Sequence, residues 1–268
     1  MNVSRKFERQ GPLYLPRYGV DTPLKRYERE QAFRRRHPRH RAGASLLQVC
    51  QVANQTGISV TATFGSNIGV NHLVVGIVYW SIGTSLATTG GITDSNGSSY
   101  TIETTQSPSG TTYSTAAFFA CPTGASAGKN LVATFSPGAA SFVYIVAAEY
   151  SGINTTTPLD QTAQTTGTAS TVDSGATSNT TNANDLLVGL FGTNNGATSW
   201  TPGTSYTVEE SNLGLMLEDQ TVSSTGAYHA TCTNNAGSDH WTACVFAFMI
   251  AGAAAATPNL RMLMGVGR

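Results

Sequence analysis

The sequence predicts an all-β protein built as a jelly-roll-like or Greek-key β-sandwich. Short apolar runs of strand length follow one another from residue 46 to residue 250, and clusters of Gly, Pro, Asn and Ser separate them. Thr, Ser, Val, Gly and Asn dominate this region while charge is scarce, a composition typical of sheets joined by polar turns. No segment of it has the periodicity of a long helix. The runs, the turns and the composition therefore indicate the same fold class.

Twelve runs are predicted as strands. In chain order they cover residues 46–52, 58–64, 73–80, 100–103, 113–121, 131–135, 142–150, 186–191, 206–210, 213–217, 228–232 and 241–250. Turn formers such as Ser95-Asn96-Gly97 and Thr201-Pro202-Gly203 lie between them. Many short strands at this spacing favour a sandwich.

The two halves of this region share a faint internal repeat. Asn71-His72-Leu73-Val74-Val75-Gly76 matches Asn184-Asp185-Leu186-Leu187-Val188-Gly189 at an offset of 184 − 71 = 113 positions, and Tyr100-Thr101 recurs as Tyr206-Thr207. Each half also ends in a long apolar strand. These matches predict a duplicated Greek-key unit whose copies form the two sheets. The alternative is convergence on a common turn-and-strand composition.

Charge is segregated along the chain. Residues 1–41, here called the arm, hold 12 of the 15 Lys and Arg residues and four acids, a charge of 12 − 4 = +8. From residue 42 to residue 260, one Lys is set against eleven acids, a charge of 1 − 11 = −10. A cationic arm on an anionic body requires an anionic partner, either nucleic acid or an acidic protein surface. The predicted division is an extended basic arm at 1–41, a β-sandwich body at 42–252 and a contact tail at 253–268.

The arm supports two mechanisms. Its basic residues would neutralise phosphates without reading sequence, or they would pair with carboxylates of a neighbouring subunit while apolar anchors fill pockets and a short helix from Thr22 orders on docking. The contact residues predicted in both cases are Arg17, Lys25, Arg26, Arg29, Arg34, Arg35, Arg36, Arg39 and Arg41. The predicted anchors are Tyr14, Leu15, Tyr18, Leu24, Tyr27 and Phe33. These anchors and the interspersed acids favour docking to protein.

Metal, cofactor and membrane sites are not predicted. The four cysteines form no CxxC pair and share no zinc-ligand spacing with the histidines, so buried free thiols are expected. A disulfide between Cys232 and Cys244 is the alternative. The basic start of the chain has no apolar stretch behind it, and no run reaches the length of a membrane span, which predicts synthesis and assembly in a reducing cytoplasm. His72, His229 and His240 are expected to make ordinary hydrogen bonds.

Enzymatic signatures are weak. Residues 124–128 spell the G-x-S-x-G nucleophile elbow, but no helical pattern follows them, so a turn is predicted. Glu209, Glu210, Glu218 and Asp219 offer carboxylates for acid/base chemistry and are interpreted as a solvated face of a sheet. No catalytic residue is therefore assigned.

Glycan binding is a third hypothesis. Trp80 and Trp241 border apolar strands and are expected in the core, whereas Trp200 lies in a Thr-Ser-Trp-Thr-Pro-Gly segment that predicts a loop. Trp200 is therefore the predicted glycan contact.

Four motifs resemble a β-sandwich domain of tailed-phage virion proteins and bacterial surface proteins. They are residues 92–101 (ITDSNGSSYT), 147–152 (AAEYSG), 157–160 (TPLD) and 184–189 (NDLLVG). The similarity covers about residues 45–250, and it implies a structural or adhesive module without chemistry. The basic arm departs from the surface-protein version and favours a virion protein.

The sequence thus predicts a non-enzymatic virion protein, a capsid-associated or decoration subunit that binds neighbouring virion proteins and further copies of itself through arm and tail. The alternatives are a coat protein whose arm packages the genome and a carbohydrate-binding adhesin.

Overall fold

In a computed structural model, the chain is described at residues 43–81, 83–103, 105–123, 128–194 and 199–252. Every regular element in these ranges is a β-strand. The strands are β1 Ser45–Gly57, β2 Ser59–Thr63, β3 Leu73–Ser81, β4 Ser85–Leu86, β5 Ile92–Asp94, β6 Thr101–Ile102, β7 Tyr113–Ala120, β8 Asn130–Ser136, β9 Ala140–Ser151, β10 Leu159–Ala169, β11 Thr171–Asp173, β12 Asp185–Thr193, β13 Trp200–Pro202, β14 Thr207–Asn212, β15 Leu215–Val222, β16 Thr231–Asn234 and β17 Asp239–Met249. The predicted all-β class is confirmed. Within the ranges above, no helix has the length and hydrophobicity to cross a membrane.

The two halves have the same sheet topology. In the first half, a five-stranded sheet has the order β1-β9-β3-β7-β6, and a smaller sheet has the order β2-β8-β4 with β5 also on β8. In the second half, the corresponding sheets have the orders β10-β17-β12-β15-β14 and β11-β16-β13. All pairs are antiparallel, and in each half the last strand returns to lie beside the first. Each half is therefore a jelly roll, here called the first and second jelly roll.

The repeat seen in the sequence coincides with this topology, although not in the predicted way. Gly76 and Gly189 occupy the same place in β3 and β12, since each is flanked by the closing strand on one side and by β7 or β15 on the other. The expectation was that each repeat would form one sheet of a single sandwich. Instead, each repeat forms a complete two-sheet sandwich with its own interior.

The two jelly rolls stack through their five-stranded sheets. Leu73, Val75 and Ile77 of β3 face a central core shared with β12, β15 and β17, whereas Val74 and Val78 face the interior of the first jelly roll. A third core fills the second jelly roll. The result is four layers of sheet around three cores, with both faces of each five-stranded sheet buried. Each fully buried aliphatic side chain contributes about 1.5–3 kcal/mol.

Polar contacts flank the central core. Thr115 Oγ1 donates to Thr242 Oγ1 at 2.9 Å, and the Tyr113 hydroxyl donates to the His240 carbonyl at 3.1 Å. On the other flank, the side-chain amide of Asn212 donates to two main-chain carbonyls of the first jelly roll, those of Val52 (3.2 Å) and Ile145 (3.3 Å). These bonds set the position of one jelly roll on the other.

Five strands lie outside the predicted runs: β4, β5, β10, β11 and β13. β10 is the long one among them, with 11 residues of sequence LDQTAQTTGTA. It is an edge strand whose neighbour is β17, so it does not need apolar residues on both of its faces. It carries many Thr and Gln residues instead. The run predicted at 213–217 also begins too early, because Leu213 is exposed in the turn before β15.

Candidate functional site

The described chain begins and ends at one place on the body. Gly43, the first described residue, contacts Ile250, and the Ala251 amide donates to the Gly152 carbonyl at 2.8 Å. The arm and the tail therefore attach side by side at what is here called the terminal pole. Together they carry 12 + 2 = 14 of the 15 Lys and Arg residues.

Gly152 makes this close approach feasible. Its φ is +81°, and a Cβ at this position would lie 1.5 Å from the Gly43 carbonyl oxygen. Only glycine combines a left-handed backbone with so little space.

The carboxylates of the body are less exposed than the charge count suggests. Six of the eleven are buried: Asp94, Glu149, Asp185, Glu218, Asp219 and Asp239. The other five are half-buried: Glu103, Asp160, Asp173, Glu209 and Glu210. The expected solvated face of Glu209, Glu210, Glu218 and Asp219 is thus wrong for its last two members, because both lie on β15 between the central core and the second interior.

Glu149 is a fully bonded structural carboxylate. Its Oε1 accepts the Gly69 amide and contacts His72 Nδ1, each at 2.7 Å, and its Oε2 accepts the side-chain amide of Gln48. Gln48 also bonds both main-chain groups of Ser66. Glu149 therefore holds the 64–72 loop against the first five-stranded sheet.

Glu218 is a buried carboxyl with one bonded oxygen. The Gly203 amide donates to its Oε2 at 3.1 Å, while no donor reaches Oε1. Burial raises the pKa of Glu218 to about 8. The hydrogen bond from the Gly203 amide lowers this pKa, whereas the charge of Asp219 raises it. The equivalent position of the first jelly roll is Phe118, so Glu218 is a polar substitution inside an apolar interior.

A second carboxyl pair, Asp160 and Asp185, lies at the terminal pole. Asp160 is the second residue of β10 and Asp185 the first of β12, and both strands flank β17 close to its C-terminal end. The side chains contact one another, and Asp185 is completely buried. Sequence reasoning missed this pair because its members are 25 positions apart, 185 − 160, with no shared motif.

His72, His229 and His240 make ordinary hydrogen bonds, as predicted. His229 Nδ1 contacts both carboxylate oxygens of Asp173 at 3.2 Å, and His240 Nδ1 contacts Thr168 Oγ1 at 3.0 Å. Within the described ranges no group of three His, Cys, Asp or Glu residues could hold a metal ion.

The four cysteines are free thiols, as predicted. Cys232 and Cys244 cannot pair as the alternative required, since Cys232 faces the second interior and Cys244 the central core. Burial raises the pKa of the half-buried Cys121 thiol to about 11, which keeps it protonated and unreactive.

Cys121 lines a polar cleft of about 330 Å³ near the terminal pole. Hydroxyl groups of Ser98, Ser99, Thr123 and Thr155 form much of its wall. Among the described residues that line it, Cys121 is the single ionisable side chain.

The tryptophans pack into the sandwiches. Trp80 is buried in the first interior and donates to the Thr84 carbonyl at 3.0 Å, and Trp241 is buried in the second. Trp200 does not lie in a loop: it opens β13 and packs half-buried against the second interior, with its indole nitrogen buried. Its proposed contact with glycans stays a prediction.

Several predicted features lie outside the described residues. They include the nine basic contact residues of the arm between Arg17 and Arg41, the six apolar anchors between Tyr14 and Phe33, the short arm helix and the contact tail. Residues 124–127 of the elbow-like segment also lie outside them.

Comparison with known proteins gives no relative of this chain. No protein-family model, no curated protein and no solved structure matches it.

Proposed function

We propose that this chain is a non-enzymatic structural subunit of a virus particle, a capsid-associated or decoration protein of a tailed bacteriophage. Its double jelly roll forms the projecting body, and the arm and tail bind neighbouring virion proteins. Jelly rolls are a common architecture of viral capsid and lectin domains.

One observation carries the proposal: the arm and the tail leave the body side by side at the terminal pole. Gly43 contacts Ile250, and Ala251 bonds Gly152. Two cationic segments that start together can reach the same partner, and the second contact then forms at high effective concentration. Within the described residues, three hydrophobic cores form between Ala44 and Ile250.

The second candidate is a coat protein whose arm packages the genome. It is favoured by the burial of six of the eleven carboxylates of the body. The other five carboxylates are half-buried, and they are too few to pair with the twelve basic residues of a neighbouring subunit's arm. Phosphates of nucleic acid supply the missing negative charge.

The test separates charge from apolar docking within the arm. One variant replaces Arg34, Arg35, Arg36, Arg39 and Arg41 by Gln. A matched variant keeps all arginines and replaces the six apolar anchors by Ser. Binding to single- and double-stranded nucleic acid is measured across a salt series, and co-sedimentation with virus particles is measured in parallel.

If the proposal is right, the anchor variant loses incorporation into particles although its binding to nucleic acid is unchanged. If the arm packages the genome, the Gln variant alone loses a binding with a steep salt dependence of up to about −0.9 per phosphate contact. A chain from residue 42 that still joins particles contradicts both.

A further inference from the structure

The crossover between the jelly rolls is fastened to the C-terminal strand. Residues 152–158 connect β9 to β10, and the Asn154 amide donates to the Met249 carbonyl at 2.9 Å. In return, the Met249 amide donates to the Pro158 carbonyl at 2.8 Å. Asp160 is the second residue after the crossover, so its environment bears on the position of this segment.

Asp160 binds the loop that precedes β12. Its Oδ2 accepts the amides of Thr181 (2.7 Å) and Asn182 (2.9 Å), and its Oδ1 accepts the Thr181 hydroxyl at 2.8 Å. Burial opposes ionisation of Asp160, but these bonds together lower its pKa. Asp160 is therefore the ionised member of the pair.

Asp185 is the member whose ionisation is opposed. Its Oδ1 accepts the side-chain amide of Asn182 at 3.2 Å, whereas Oδ2 is buried without a hydrogen-bond partner. The side chain of Asp185 also contacts that of Asp160. Burial raises the pKa of Asp185 to about 6, and the charge and side-chain contact of Asp160 raise it further. Hydrogen bonds from the side chains of Asn182 and Thr180 oppose this rise. Protonation gives Asp185 an O–H group that can donate to the carboxylate of Asp160.

Among the described residues, Asp160 is the charged group that acts on Asp185. Val222 of β15 and Met249 of β17 are its cross-strand neighbours, and the preceding loop contributes Thr180 and Asn182. In the described ranges, Lys129 of the first jelly roll is the single Lys or Arg. The site is also too closed for the roughly six to eight oxygen ligands of a calcium ion, since Asp185 has no exposed surface.

We propose that Asp160 and Asp185 share one proton and form a latch at the terminal pole. With the proton bound, the latch ties the crossover to the 180–184 loop. That loop is tied to the end of β17, because the Asn184 carbonyl accepts the Ile250 amide at 3.0 Å. Loss of the proton leaves two carboxylates in contact and loosens the segment beside which arm and tail emerge. An effect of the latch on attachment through arm and tail rests on the proposed function, whereas the latch itself does not.

The latch is tested on the full chain by NMR. Carboxyl ¹³C shifts follow the ionisation of Asp160 and Asp185, and amide exchange of Thr181 and Asn182, corrected for intrinsic rates, reports opening. The expected result is that Asp185 titrates near pH 6 and that Asp160 senses the same step. Protection of both amides should then fall about tenfold or more as the proton leaves.

Asp185→Asn is the decisive variant. Its side-chain amide donates to Asp160 at every pH, so protection of the two amides should become independent of pH. Asp160→Asn should lower their protection at every pH. Glu218→Gln removes a buried carboxyl elsewhere in the second jelly roll. In this variant, amide protection of Thr181 and Asn182 should depend on pH as it does in the natural chain.

Three outcomes would overturn the latch: titration of Asp185 near its ordinary value, a persistent pH dependence in Asp185→Asn, or restoration of protection by millimolar calcium in place of the proton. Binding of the arm to particles or nucleic acid is measured separately. The NMR measurements therefore decide only whether the latch exists. The binding measurements decide only whether the arm binds as proposed.

Discussion

Replacement of Glu218 by Gln should change how the stability of the protein depends on pH. Glu218 is completely buried in the second jelly roll, and the Gly203 amide is its described donor. Burial raises its pKa from 4.5 to about 8. The unfolded chain thus loses this proton at lower pH than the folded chain does. The stabilisation is fully present below pH 4.5 and is lost as pH rises to about 8.

The magnitude follows from the size of this window. Each pKa unit corresponds to about 1.4 kcal/mol, so the free energy of unfolding should fall by about 3 kcal/mol between about pH 5 and about pH 7.5 through this group alone. Gln cannot ionise, and its carbonyl oxygen can still accept the Gly203 amide. The difference in stability between Glu218→Gln and the natural chain should therefore grow by that amount over the same range.

Urea unfolding followed by tryptophan fluorescence measures this difference at constant ionic strength. Asp185→Asn is the matched comparison. Its difference in stability from the natural chain should stop changing with pH above about pH 6, because that is where the pKa of Asp185 lies. A stability difference for Glu218→Gln that does not vary with pH would refute the reasoning, since Glu218 would then ionise equally in both states.

Two further substitutions test the contacts that join the parts of the body. Gly152→Ala should destabilise by about 3 kcal/mol or more, since it adds a clash with the Gly43 carbonyl to left-handed strain, whereas Gly138→Ala, at φ +78° with nothing within 4 Å, should cost about 1 kcal/mol. Similar losses in the two variants by thermal unfolding would contradict the close approach at the terminal pole. Asn212→Ala removes two hydrogen bonds between the jelly rolls and should cost about 1–2 kcal/mol, against a few tenths for the exposed Asn235→Ala. Equal effects in urea would mean that Asn212 does not hold the stack.

The strand pattern and the repeat were accessible from sequence because both are local properties. β12, for example, is a strand-length apolar run between turn formers, and its first residues repeat those of β3. The edge strand β10 was not accessible, because an alternation of Thr, Gln and Ala resembles a polar loop until a neighbour pairs with it. For the candidate site, the sequence predicted only the positive charge, which the basic residues of arm and tail carry.

By itself, the sequence determined the β class, the strand-length runs, the duplication and the separation of positive from negative charge. Only the tertiary structure decided that each repeat closes into its own jelly roll and that all nine residues of β12 are buried. It also decided that six carboxylates leave the surface and that Asp160 meets Asp185. The physical reason is that periodicity reports the faces of one strand. Whether a second sheet covers the other face, and what surrounds a carboxyl there, depends on groups distant in the chain.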